Sequence, residues 1–273
     1  MKETITVMVL FLTLYYMLYN SHTLYRRFKS KFEHVAGKSK GLGVDMVYCI
    51  TMDNREQYMR GVMGDTGAEY TILHAVTPSD LNTIDYLAMS STYIPYKNPG
   101  IYNKPTRLPL GISFFICYYD AYIKGYDSIM ILEDDIEFKV SVEQLITTVK
   151  EWEDTHCEFM YLGYCHLSCR KAEYNQLTTN VNEVISDGKI VCNHAILMKK
   201  TFIQKYCKHF WTLYMTNQND IIMDNFLRTN SIRRCIPPRG YINQNVPALG
   251  SNNGNKNDNL YTCHTQTNTK LKG

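Results

Sequence analysis

The run GYDSIMILEDD, residues 125–135, decides the fold. Ser128 to Leu132 is a short, almost wholly apolar stretch, the pattern of a strand buried on both faces in the middle of a parallel sheet. Ahead of it, Leu110 to Lys124 is apolar enough and long enough for a core helix, and Gly125 is placed to end that helix in a left-handed cap. Behind it, the apolar run stops abruptly at Glu133, Asp134 and Asp135. A helix, a buried strand and an acidic stop in that order describe one unit of an α/β sheet. Such sheets hold their ligands beyond the carboxyl ends of the strands.

The same alternation continues in both directions. Val44 to Ile50 and Glu69 to His74 read as strands, separated by a helix that opens at Asp53 or Asn54. A further helix is expected from Thr77, capped by Ser79, before a proline-broken loop from Pro95 to Pro109. On the other side come a helix over Val142–Glu153, a strand over Phe159–Gly163 and a strand over Lys189–Met198. A helix follows from Lys200, then a short one over Asp220–Arg228. Strands alternating with helices imply a Rossmann-like α/β domain, mainly parallel and flanked by helices. No internal repeat is present.

The chain has 273 residues with 29 Lys and Arg against 26 Asp and Glu. A net charge of +3 without a long basic stripe gives no footprint for nucleic acid. Its 22 tyrosines supply flat faces that suit sugars and bases, although nucleotide composition alone also produces such a bias. The nine cysteines are an odd number without paired CxxC repeats, so they are expected to be reduced, several of them buried as small apolar groups. Cys165, His166, Cys169, Cys192 and His194 do not have the spacing of a zinc site.

Ile5 to Tyr19 carries no charge, glycine or proline. As a helix it rises only ~22 Å, but extension from Thr4 to Tyr25 gives about 33 Å against a hydrocarbon core of about 30 Å. A membrane anchor over residues 1–27 is therefore expected, followed by a basic stalk over 28–43, an α/β body over 44–250 and a disordered polar tail over 251–273. Arg26, Arg27, Lys29 and Lys31 follow the span, so the positive-inside rule favours a cytosolic body, with the ER or Golgi lumen the other option. The absence of any Asn-x-Ser/Thr acceptor agrees mildly with the cytosolic side.

Three adjacent carboxylates at a strand end repel one another unless a cation offsets them. A hard divalent ion takes carboxylate oxygens at ~2.1 Å, and the same ion can hold a diphosphate. Alternation along an extended chain puts Glu133 and Asp135 on one face, with Asp134 pointing away. The competing reading is an ordinary acidic turn that caps the next helix.

Other stretches bear on that choice. The run 125–138 resembles the "LEDD" block of glycosyltransferase family 25, which includes lipopolysaccharide and collagen galactosyltransferases. VYCITMDNR (47–55) resembles its opening strand, with Arg60 where a helix arginine often follows. YLG (161–163) and HAILMK (194–199) are similar to later strands. Asp220 to Leu227 resembles its "D…L" segment, and Pro237-Pro238, Gln244 and Ser251 its closing pattern. The family's Ser-His pair ahead of LEDD is here Ser113-Phe114.

The resemblance implies a GT-A fold, Mn²⁺ or Mg²⁺, and a nucleotide sugar, UDP-galactose or UDP-glucose being favoured, with transfer to a glycan or protein acceptor. It implies Glu133 and Asp135 on the metal and diphosphate, joined by His194, with Asp134 on the donor ribose or sugar. Thr51, Asp53 and Arg55 fall at the nucleotide, Asp224 is the candidate base for an inverting transfer, and Gln244 and Ser251 fall on the acceptor side. The alternative is an inactive, membrane-tethered binding protein of the same fold. A nucleotidyltransferase would need a Gly- and Lys-rich phosphate loop, which is absent. A glycoside hydrolase needs carboxylates spaced across a bond, which adjacent acids do not provide.

Overall fold

In the computed structural model, residues 21–39, 41–81, 107–166, 173–186, 190–213 and 219–244 are described. They form helix α1 (residues 21–28), β1 (Phe32–Val35), β2 (Met46–Thr51), α2 (Glu56–Thr66), β3 (Tyr70–His74), α3 (Arg107–Lys124), β4 (Ser128–Glu133), β5 (Ile136–Phe138) and α4 (Val142–Glu153). The remainder comprises β6 (Phe159–His166), β7 (Glu173–Gln176), β8 (Asn182–Ser186), β9 (Ile190–Lys199), α5 (Lys200–Leu213), α6 (Asn219–Thr229), β10 (Arg234–Ile236) and β11 (Ile242–Gln244).

Nine strands make one sheet in the order β1-β3-β2-β4-β9-β6-β10-β8-β7, and β5 pairs with β11 separately. β2 pairs in parallel with β3 and β4, and β10 with β6. β9 lies between β4 and β6 and is antiparallel to both. The sheet is therefore mixed: β2, β3, β4, β6 and β10 run one way, and β9 and β1 run against them. On one face the core is built by Leu24 and Phe28 of α1, Phe115 and Ile116 of α3, Phe202 of α5 and Phe226 of α6. On the other, Met59 and Met63 of α2, Val149 and Trp152 of α4, and Ile136 and Ile242 close the sheet.

The expected strands and helices are found with shifts of a few residues, and α4 at its expected bounds, with Ser141 accepting from the Gln144 N–H as its cap. Gly125 has φ +73° and takes the left-handed turn after α3. Pro109 lies in the first turn of α3, where a missing N–H breaks no intrahelical bond.

Three expectations are corrected. No side chain caps α2, which starts at Glu56 after a 3-10 turn at Asp53–Arg55. Near residue 77 the structure describes a 3-10 turn, Pro78–Asp80, with Thr77 and not Ser79 in the capping box. The region taken as a stalk is part of the folded body: β1 pairs antiparallel with β3, while Phe28 and Leu42 are buried. The Tyr25 hydroxyl donates to Asp120 of α3 at 2.6 Å, and Tyr48 donates to the other carboxylate oxygen. Basic residues masked this packing in the sequence, because the apolar contacts are spread thinly among them. The anchor expected over Ile5–Tyr19 lies outside the described residues, as does the polar tail. No helix among the described residues is long and apolar enough to cross a membrane, and Ser21, Leu24 and Tyr25, at the end of the expected span, pack on the domain.

Candidate active site

The carboxyl ends of β2, β3, β4 and β6 and the amino end of β9 share one edge of the sheet. β4 stops at Glu133, which is half-buried beside Ile50. Asp134 and Asp135 then form the turn into β5, so the strict alternation expected there does not apply. Both acids turn towards Arg55, which follows β2 and is 5% exposed. Its guanidinium lies 3.0 Å from Asp134 and 3.5 Å from Asp135. Asp134 also accepts the Met52 N–H at 2.7 Å, and the Tyr58 hydroxyl of α2 donates to the Ile136 carbonyl just beyond. The Gln244 amide lies 3.5 Å from Asp135, brought there by the pairing of β11 with β5.

Burial drives the electrostatics of these acids. Removal from water raises the Asp134 carboxyl above its ordinary range, against the opposing pull of the Met52 N–H and Arg55. Asp135 is raised in the same way, with Arg55 and Gln244 opposing. Asp134 and Asp135 are thus two buried carboxylates that share one guanidinium.

β9 closes the edge on the other side. Leu132 and Gly163 both stand opposite Ala195 in the ladders, so His194 lies beside the acid turn. It is 2% exposed, and its Nε2 donates to the Ile242 carbonyl at 3.0 Å. A Cβ on Gly163 would stand 2.0 Å from that nitrogen and 2.1 Å from that carbonyl oxygen, so only glycine admits the ring.

Thr51 is fully buried at the end of β2, opposite His74. Asp53 is almost fully exposed, 3.8 Å from His74. Ser113 accepts the Val76 N–H, whereas Phe114 is fully buried near Tyr118. The position of the family's histidine is therefore a core position in this chain. Sequence reasoning missed His74, which ends β3 within 3.8 Å of Glu33, Asp53 and Glu56 and is partly open to solvent. Its place at the end of an expected strand was the available signal. Ser251 lies outside the described residues.

Asp224 is not brought to this edge. Arg228 and Arg234 hold its two oxygens at 2.8 Å each. Arg234 opens β10 opposite Phe159, at the amino end of β6 and hence at the far edge of the sheet. A carboxylate held by two guanidinium groups there is an ion-paired clamp between α6 and β10. An Asp224→Asn variant is expected to lose about 2–4 kcal/mol of stability, because the buried ion pair with Arg234 loses the charge on one of its sides. Turnover per folded molecule should stay within a few-fold of the parent. A hundred-fold loss of turnover in folded protein would restore the base assignment.

The profile of Glycosyltransferase family 25 (LPS biosynthesis protein) matches residues 45–220, which span the opening strand, the acid turn and β9. The chain belongs to glycosyltransferase family 25. No curated protein matches it at a significant level. This family 25 chain is thus a glycosyltransferase, which acts on a donor and an acceptor. Asp224, Gln244 and Ser251 lie beyond the matched span. Among the described residues, no three His, Cys, Asp or Glu side chains come together as a ready-made metal cage.

Proposed function

We propose that this glycosyltransferase moves a hexose, galactose or glucose, from a UDP-sugar to a glycan or protein acceptor with inversion, aided by Mn²⁺ or Mg²⁺. The observation that carries this reading is the pair of buried carboxylates, Asp134 and Asp135, which share one guanidinium on the sheet edge where α/β folds bind ligands. A small divalent ion is commonly held by one or two carboxylates together with substrate phosphates, so a complete protein cage is not required. Asp135 and Glu133 would hold such an ion. When bound, it would offset the charge that develops on the leaving diphosphate.

Arg55 keeps the acid turn in place and Met52 fixes Asp134, which leaves Asp134 a positioning part in donor binding. Thr51, Asp53 and His74 border the β2–β3 end of the edge and would meet the nucleoside. His194 donates its Nε2–H to the Ile242 carbonyl, which orients the ring in the wall of the site, and it would join the acids on the ion. Gln244 reaches Asp135 from the carboxyl-terminal side, where the acceptor would approach.

The test is hydrolysis and transfer with a panel of nucleotide sugars, in Mn²⁺ and in EDTA. One UDP-hexose should release UDP slowly in a metal-dependent way, and Glu133→Ala and Asp135→Ala should each lose at least about a hundred-fold. Acidification should abolish that activity, because protonated carboxyls no longer hold the ion. Turnover that is indifferent to EDTA and to both alanine variants would overturn the metal reading, and turnover of a non-uridine donor would overturn the UDP assignment.

A further inference from the structure

Cys157 and Cys235 form a disulfide across 78 residues of sequence, with Cα atoms 6.0 Å apart and both residues fully buried. This corrects the expectation that all the cysteines are reduced. Cys157 lies between α4 and β6, within the apolar layer that contains Trp152 and Leu162. Cys235 is the middle residue of β10 and pairs with Met160 of β6. From β10 the chain turns to Tyr241, whose N–H donates to the Leu162 carbonyl and whose hydroxyl donates to Asn180. It then supplies the Ile242 carbonyl to His194 and Gln244 to Asp135.

We infer that the Cys157–Cys235 bond is a maturation clamp that fastens the β10–β11 segment to the sheet, and that this domain reaches its working form in an oxidising compartment. The two thiols give up two protons and two electrons to a disulfide-bearing oxidant, such as oxidised glutathione or a protein disulfide oxidoreductase, whose own S–S bond is reduced to two thiols. Structural disulfides persist in secretory and extracellular settings and are rare in the cytosol. The clamp therefore favours the side of the membrane opposite to the one the basic residues suggest. Cys49, Cys117 and Cys207 are free and buried. Burial pushes all three thiols up, so none of these three readily supplies a thiolate to attack the disulfide. The clamp does not depend on the donor sugar or on the metal.

The test uses the full chain, produced once by an oxidising secretory route and once in a reducing cytosol. Free thiols are alkylated under denaturing, non-reducing conditions and the digests are mapped by mass. The oxidised protein should yield a peptide linking Cys157 to Cys235. Reduction should lower its Tm by about 5–15 °C and raise amide exchange in residues 234–244 while leaving β2 and β4 unchanged. A Cys157→Ala/Cys235→Ala variant should match the reduced protein and ignore reductant. Alkylation of both cysteines in the secreted protein, an unchanged Tm, or unchanged exchange over 234–244 would each overturn the inference. Should the double variant fail to fold, mapping and exchange of the parent protein still decide.

Discussion

An Arg55→Ala variant is expected to lose about 3–5 kcal/mol of stability at neutral pH, the order found when one partner of a buried ion pair is removed. Arg55 is the cation shared by Asp134 and Asp135, and all three side chains are nearly inaccessible to water. Without it, two adjacent carboxylates stay buried with neutral donors such as the Met52 N–H and Gln244 and no cation between them. The pH dependence follows from the sign of the shifts. Both acids are raised in the folded state even with Arg55 present, so removal of the cation raises them further. The variant's deficit should be full above the folded-state values and shrink as pH falls through them, because protonation removes the buried charge. Urea unfolding of parent and variant across the acid range measures this. A deficit that does not change with pH would mean that Arg55 acts through packing alone. Lysine should rescue only in part, since an ammonium lacks the planar fork that reaches both acids.

A Gly163→Ala variant should cost about 2–5 kcal/mol, combining overpacking with the loss of a buried hydrogen bond. The added methyl would collide with the His194 ring and with the backbone carbonyl of Ile242. Neither is the flexible end of a side chain, so β9 and β11 must separate. The His194–Ile242 hydrogen bond would break, and Gln244 would withdraw from Asp135. Stability and donor affinity should therefore fall together. Adding His194→Ala should recover part of the loss, because it removes one of the two collisions. Full additivity of the two substitutions would show that the glycine and the histidine do not share a space.

The strands and helices of the central βαβ units were legible because their signals are local. The apolar run at Ser128–Leu132, the glycine at 125 and the serine at 141 each fix an element without knowledge of the rest. The acid turn could be found in the same way, since an apolar strand that ends in three acids is visible in any window. The partners of those acids were not. Arg55 could be placed near the nucleotide by resemblance, but its grip on Asp134 and Asp135 depends on β2 pairing with β4, about eighty residues apart. The antiparallel insertion of β9 and the short β5–β11 pair are likewise long-range results with no local pattern. Asp224 shows the reverse error: a well-placed acid in a helix looked free until Arg228 and Arg234 were seen to hold it. The folded role of residues 28–43 was hidden because a few apolar side chains among many basic ones give no periodic signal.

The contact of Gln244 with Asp135 joins residues 109 positions apart. During synthesis the acid turn leaves the ribosome long before its partner from β11 exists. Early segments can collapse into helices and a partial sheet, but the edge that receives substrate is finished only when the end of the described chain arrives. Contacts of such long separation form late and slowly, after the entropy of closing the intervening loop has been overcome. A polypeptide that has not yet reached β11 therefore lacks a complete site.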